Sequence, residues 1–250
     1  MDEIRIMQGN EEKKAPAAAG GGMLVEKATR AVELLKQVYP EAVCALEWGG
    51  QEDRLREAWK LLVMARLSAQ CTDARVNLVC RELFANFPTP KAMAEADLSA
   101  IEAIVRPCGL YHTKAESIKA ACDILVRVYD GLVPDNMEAL LALPGVGRKI
   151  ANLLLGDIYG QPGVVCDTHC IRICGRLGFY DCSLKDPTRV EKILTPLIQP
   201  EEQSAFCHRI VQFGRDVCTA RSPRCEGCPL RSICNQGQAV TTVSSKTNAI

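Results

Sequence analysis

Residues 135–160 read DNMEALLALPGVGRKIANLLLGDIYG. Two short helical patterns flank a break. Asp135 or Asn136 can cap the first, whose apolar face is Met137, Leu140 and Leu141. Pro144-Gly145-Val146-Gly147 makes a tight turn, and a second helix starts at Arg148 and buries Ile150, Leu153, Leu154 and Ile158. Glycines 145 and 147 let the backbone turn sharply and expose consecutive N–H groups, while Val146 tucks inward and braces the turn. Donors gathered at a helix N-terminus favour a phosphate. The competing reading is an αα-hairpin that merely joins two core helices. Arg148 and Lys149 directly after the turn, with a cysteine cluster downstream, weigh against it.

Helical periodicity extends outward from this hairpin. Leu24, Ala28, Ala31, Leu34, Leu35 and Val38 follow a 3.6-residue period. Trp59 to Leu67 and Arg75 to Phe84 are of the same type. Thr89 is placed to cap a helix with Pro90 at its first position. Ser99 with Glu102 and Thr113 with Glu116 read as capping boxes, and the helix from Lys114 stops at Gly131. No segment alternates with a period of two, so the fold class expected is all-α. Residues 1–22 and 241–250 read as tails.

The chain of 250 residues is 48% hydrophobic and 24% charged, which excludes a wholly disordered or fibrous protein. No apolar run reaches membrane-spanning length. The first residues, MDEIRIMQGNEEKK, lack a secretory core, so a cytoplasmic location is expected, at the nucleoid in a bacterium. Thirty basic residues balance thirty acidic ones, which disfavours non-specific nucleic-acid binding. Locally the balance shifts: Ser204 to Cys234 holds Arg209, Arg215, Arg221, Arg224 and Arg231 against Asp216 and Glu226. Such a stretch can offset phosphate charge.

Fourteen cysteines in a chain without an export signal point to thiols or metal ligands. Cys218, Cys225, Cys228 and Cys234, spaced C-x6-C-x2-C-x5-C, can wrap one metal centre. Structural zinc competes, but zinc ribbons use two C-x2-C knuckles and this loop has one. Cys166, Cys170 and Cys174 fall at i, i+4 and i+8 beside His169. They fit a second metal site or, by preference, one face of a helical core. His169 reads as a pocket or capping residue, and His112 and His208 carry no signal.

Lys149 sits just inside the second hairpin helix. A free lysine is only about 0.04% neutral at pH 7. The helix N-terminus, Arg148 and partial desolvation would all favour a neutral, nucleophilic amine. The plainer role is a surface lysine beside a phosphate. Asp167, in Asp-Thr-His, is a natural N-cap for the helix carrying Cys170 and Cys174.

LPGVGRK at 143–149, VVCDTH at 164–169 and the terminal cysteine loop together resemble the endonuclease III family, the iron-sulfur branch of the helix-hairpin-helix DNA glycosylases. LSAQCTD at 67–73 and GLYHTKAESI at 109–118 add to the resemblance, which runs from Val25 to Cys234. It implies two helical lobes: a six-helix lobe at 49–163 holding the hairpin, and an iron-sulfur lobe made of 23–48 and 164–240. It implies that Lys149 and Asp167 face each other across a DNA-binding cleft. Lysine would attack the anomeric carbon of a damaged nucleotide, aided by the carboxylate, and β-elimination would cut the strand 3′ to the lesion. It also implies a [4Fe-4S] cluster on the four cysteines, with Arg221 and Arg224 presented to the phosphate backbone.

The partner implied is double-stranded DNA with damaged bases or abasic sites, engaged by a monomer. Its contacts would be the turn at Gly145, Val146, Gly147 and Arg148, with His169. Gln70 and Leu110 would fill the gap left by an extruded base, although pattern alone reads Leu110 as core. Oxidised pyrimidines are the expected substrates. A mismatch-specific glycosylase and a non-catalytic iron-sulfur DNA-binding regulator are the alternatives. Ile150, where the family often has threonine, and Arg66, where an apolar residue is expected, depart from the pattern.

Overall fold

A computed structural model of the protein describes residues 20–49 and 53–238. Among the described residues every regular element is helical. The C-terminal tail at 241–250 and residues 1–19 of the N-terminal tail lie outside this range. Residues 20–22, read as tail, instead open α1 (Gly20–Val38), which extends the expected helix back by about one turn. No helix among the described residues is long and apolar enough to cross a membrane.

The first hydrophobic core gathers buried residues from Leu46 to Ile158. Its axis is α2 (Arg54–Leu67), whose central residues Trp59 and Leu61 to Ala65 are buried on nearly every side while most of its charged residues gather towards the two ends. Around it pack α3 (Asp73–Asn86), α6 (Tyr111–Tyr129) and α8 (Arg148–Tyr159). Two short helices, α4 (Pro90–Glu95) and α5 (Leu98–Val105), lie against α6, and α7 (Met137–Leu141) opens the hairpin. Among the described residues this part of the chain therefore holds seven α-helices where six were expected. Extended backbone at Ala96 and Asp97 splits residues 90–105 in two.

The second core joins α1 to α9 (Thr168–Leu177), α10 (Pro187–Leu194) and α11 (Gln203–Asp216). The first and last thirds of the described chain thus meet. Leu153 on α8 packs against both cores. The seam is tight: a Cβ on Gly156 of α8 would come within 2.9 Å of Ser204 on α11, so the two helix backbones close only over glycine.

Side-chain caps fix five of the eleven α-helix starts among the described residues. Asp53, Thr89, Asn136, Asp167 and Asp186 each accept from a backbone N–H three residues on. The capping boxes expected at Ser99 and Thr113 do not form. α5 starts at Leu98, so Ser99 is already inside it. α6 starts at Tyr111, and the Thr113 hydroxyl donates to the Leu110 carbonyl. Glu102 instead reaches His112 across the two helices at 2.9 Å. Leu141, assigned to an apolar face, is 40% exposed, because α7 is too short to turn it inward.

Candidate active site

The hairpin turn forms as read, with α8 starting at Arg148 and Val146 buried. Gly145 is left-handed at φ +79° and sits over Arg66, whose Nε a Cβ would meet at 2.5 Å. Arg66 Nε donates to Ser117 Oγ at 2.8 Å. The unexpected arginine is thus the platform beneath the turn. Gly147 is extended and open on its Cβ side, which leaves the turn accessible from outside.

Lys149 is the second residue of α8 and is exposed. The protein therefore does not itself supply the partial desolvation expected for this amine. Arg148, expected at a phosphate, pairs in this DNA-free structure with Glu191 of α10, its Nε 2.9 Å from Oε2. The hydrogen bond to Arg148 raises the guanidinium pKa further, and the pair spans the two cores.

Asp167 caps α9: its Oδ1 accepts from Cys170 N at 2.7 Å. Val164, Val165 and Cys166 before it are buried in the second core, and Val165 N donates to Cys207 Sγ at 3.2 Å. The carboxylate is therefore held from both sides. Lys149 and Asp167 line one cleft of about 500 Å³, with Asp73, His169, His208 and Arg215. Arg215 and Asp73 are ion-paired across this cleft. Half-buried His169 takes Arg172 NH2 at 3.2 Å on Nδ1, which puts its ring proton on Nε2, and burial lowers its pKa.

Gln70 and Leu110, the two residues assigned to fill a vacated base position, are both exposed and both left-handed, at φ +56° and +49°. Leu110 is 59% exposed, so the core reading of this leucine is corrected. A left-handed non-glycine residue costs about 1–2 kcal/mol, so the loops must be held from outside. Lys114 holds them. It is fully buried, and its Nζ donates to Leu67 O at 2.9 Å, Ala69 O at 2.7 Å and Cys108 O at 2.8 Å. One cation thus ties the Gln70 loop to the Leu110 loop. Burial lowers its pKa. Lys114→Met should cost roughly 3 kcal/mol, because three carbonyls lose their charged donor. At this chain length that is a fall of roughly 6–12 °C in Tm, read by thermal unfolding. An unchanged Tm would refute the tie.

The four loop cysteines are half-buried and line a single hollow with Ile173, Leu177 and Phe213. No three of their sulfurs lie mutually within 4.8 Å. A single tetrahedral zinc would hold thiolates about 3.8 Å apart, so the wider spacing suits a polynuclear cluster. Burial, then the charges of Cys218, Cys234 and Cys225, push the Cys228 thiol up. Arg176 NH1 lies 3.3 Å from Cys218 Sγ, and Gly237 N donates to Cys234 Sγ at 3.3 Å. Arg176 also donates to Thr219 O and Ala220 O, each at 2.7 Å, and Arg172 to Cys218 O at 3.0 Å. Both arginines lie on α9, the helix that Asp167 caps. Arg176→Leu should therefore hasten loss of the roughly 400 nm cluster absorbance under a chelator. Unaltered bleaching would argue against this brace.

Cys166, Cys170 and Cys174 are buried and form no group of ligands within 4.8 Å, so the core reading stands. The basic stretch is narrower than its composition suggests. Arg209 is buried against Glu202 at 2.7 Å, and Arg215 is paired with Asp73. Arg221 and Arg224 are exposed beside the cysteine loop.

Residues 63–200 match the family model of the HhH-GPD superfamily of base excision DNA repair proteins. Residues 218–234, from the first to the last loop cysteine, match the iron-sulfur binding domain of endonuclease III. Endonuclease III of Synechocystis is 40% identical over 86% of this chain and 94% of its own length. The chain belongs to the endonuclease III family. The Bacillus subtilis endonuclease III is 37% identical over 83% of the chain and 91% of its own length. The solved structure of a non-covalent endonuclease III–DNA complex superposes with a TM-score of 0.79 at 36% identity, covering 87% of this chain and 98% of that one. A trapped covalent endonuclease III–DNA intermediate matches equally well. This member of the endonuclease III family carries a [4Fe-4S] cluster.

Proposed function

We propose that Lys149 is the nucleophile and Asp167 its carboxylate partner in a bifunctional DNA glycosylase and abasic-site lyase of base excision repair. The activity class follows from the family; the residue roles rest on the shared cleft that both side chains line, one at the start of α8 and the other at the start of α9.

The steps use this chain's own groups. DNA phosphates dock on the hairpin turn at Gly145, Val146 and Gly147, and on Arg221 and Arg224 beside the cluster loop. The lesion leaves the stack, and Gln70 and Leu110 fill the space. DNA closing over the exposed Lys149 supplies the desolvation that the free protein lacks and favours the neutral amine. The amine bonds to C1′ as the C1′–N bond to the base breaks, and the base departs with a proton. Asp167 stabilises the positive charge developing at the sugar and takes up the amine proton. Ring opening gives a Schiff base. Loss of a C2′ proton then expels the 3′ phosphate. Arg148 and His169, beside the two helix starts, complete the DNA contacts.

Cys218, Cys225, Cys228 and Cys234 hold the cluster, which staples the loop that Arg172 and Arg176 tie to α9. Two lobes are proposed, at 49–163 and at 23–48 with 164–240, although Leu46 and Trp48 pack into the first core and so shift that boundary towards residue 45. The protein acts as a monomer on double-stranded DNA in the cytoplasm, at the nucleoid in a bacterium. Oxidised pyrimidines are the substrates. Duplexes bearing an oxidised pyrimidine, an abasic site or an adenine mismatch test this. The first two should be cut and the third left intact; cutting of the mismatch alone would make the chain a mismatch glycosylase.

A further inference from the structure

Where the two cores meet, one buried carboxylate is only half satisfied. Asp157, near the end of α8, is 9% exposed. Its Oδ1 accepts from Ser204 Oγ at 3.0 Å and contacts His208 Nε2 at 2.7 Å, both on α11. Its Oδ2 is buried and receives no N–H or O–H donor, and the Cys44 thiol is the further group turned to this carboxylate. Arg54 does not neutralise it, because that guanidinium is spent on the Asp157 backbone carbonyl and on the face of Trp48. A buried carboxylate oxygen served at best by a weak thiol donor is costly and asks for an explanation.

Cys44 supplies the missing context. It lies in the connection between α1 and α2, and its sulfur completes a trio with a carboxylate oxygen of Asp157 and a ring nitrogen of His208. All three ligand atoms lie within 4.8 Å of one another, the one such group of His, Cys, Asp or Glu side chains among the described residues. Thiolate, imidazole and carboxylate are a donor set for a borderline-soft divalent ion. Three separate segments contribute one ligand each, and the close packing of Gly156 on Ser204 fixes two of them.

We propose that Cys44, Asp157 and His208 form a zinc-binding site at the seam between the two cores, distinct from the four-cysteine loop. Binding displaces the thiol proton of Cys44 to solvent; the His208 proton now shared between Nε2 and Asp157 Oδ1 passes through solvent to Nδ1, and Nε2 exchanges that hydrogen bond for the ion. Asp157 Oδ2 becomes a ligand while Oδ1 keeps the Ser204 bond. Cys44 and His208 each line two clefts, one of them the cleft of Lys149 and Asp167, so water reaches the fourth position. The site fastens the α1–α2 connection to α8 and α11. It stands independently of the catalytic roles assigned above.

The test uses the full chain with its cluster intact and zinc ion alone as the probe. After removal of excess metal, zinc and iron are counted, and the zinc absorption edge is read for its ligand shell. The expected result is one zinc per chain with iron undiminished, and a shell of one sulfur at about 2.3 Å with nitrogen and oxygen near 2.0 Å. Cys44→Ser and His208→Gln should each weaken binding by at least roughly 10–100-fold, the cost of losing even an outer partner of a metal site. Zinc should raise the Tm of the parent chain and not of the variants. No retained zinc, a four-sulfur shell with iron lost, or affinity unchanged in both variants would overturn the site. Should a variant fail to fold, the ligand shell of the parent chain decides alone.

Discussion

Lys149→Gln should fold, bind lesion-bearing duplex and keep its cluster, yet lose strand cleavage by about 10⁴-fold, the scale on which removal of a covalent nucleophile is felt. The structure explains why the loss should be so selective. Lys149 is exposed and lies in the first turn of α8, where its side chain carries none of the packing. Glutamine is a good helix former, so the start of α8 is preserved. The brace beneath the turn, from Arg66 to Ser117, is untouched. The rate is checked on an abasic-site duplex, where base removal is no longer needed and only the lyase step is read. A fall of less than tenfold there would mean that another amine forms the Schiff base.

Asp167→Asn should separate two roles that one carboxylate performs. Asparagine caps a helix about as well as aspartate, so the bond now made to Cys170 N should survive and stability should shift by only a few tenths of a kcal/mol. The charge, however, is gone. Stabilisation of the sugar cation and uptake of the amine proton are both lost, and turnover on an oxidised-pyrimidine duplex should fall by roughly 10²–10⁴-fold. Asp167→Ala should lose the cap as well, at about 1 kcal/mol. If asparagine restored activity relative to alanine, the residue's contribution would be the cap alone.

The parts of this account that were legible in the sequence share one property: their signal is local. LPGVGRK carries its own turn chemistry, Asp167 stands directly before a helical pattern, and the cysteine spacing is a distance along the chain. Leu110 shows the limit. Its neighbours say core, and only the resemblance placed it outside, where the structure has it. The tertiary ties were not legible. Lys114 lies on the same helical face as Ile118, Ala121 and Leu125, and a charge on an apolar face was a signal of a satisfied buried cation. Two of its three carbonyl partners, though, come from a distant loop. Arg209 and Arg215 were counted as free positive charge, yet Glu202 and Asp73 neutralise them, the latter from another part of the chain. His208 carried no pattern at all, because its partners Asp157 and Cys44 are brought to it by the fold. The capping boxes failed for a related reason: helix starts at Leu98 and Tyr111 were set by packing and by the left-handed Leu110, overriding a three-residue spacing.

Borohydride reduction of the reaction on abasic-site DNA, followed by proteolysis and mass mapping of the adduct, tests the central claim most directly. The account predicts a single covalent adduct carried by Lys149. Attachment to any other amine, or no adduct from protein that holds its cluster and binds the duplex, would contradict it.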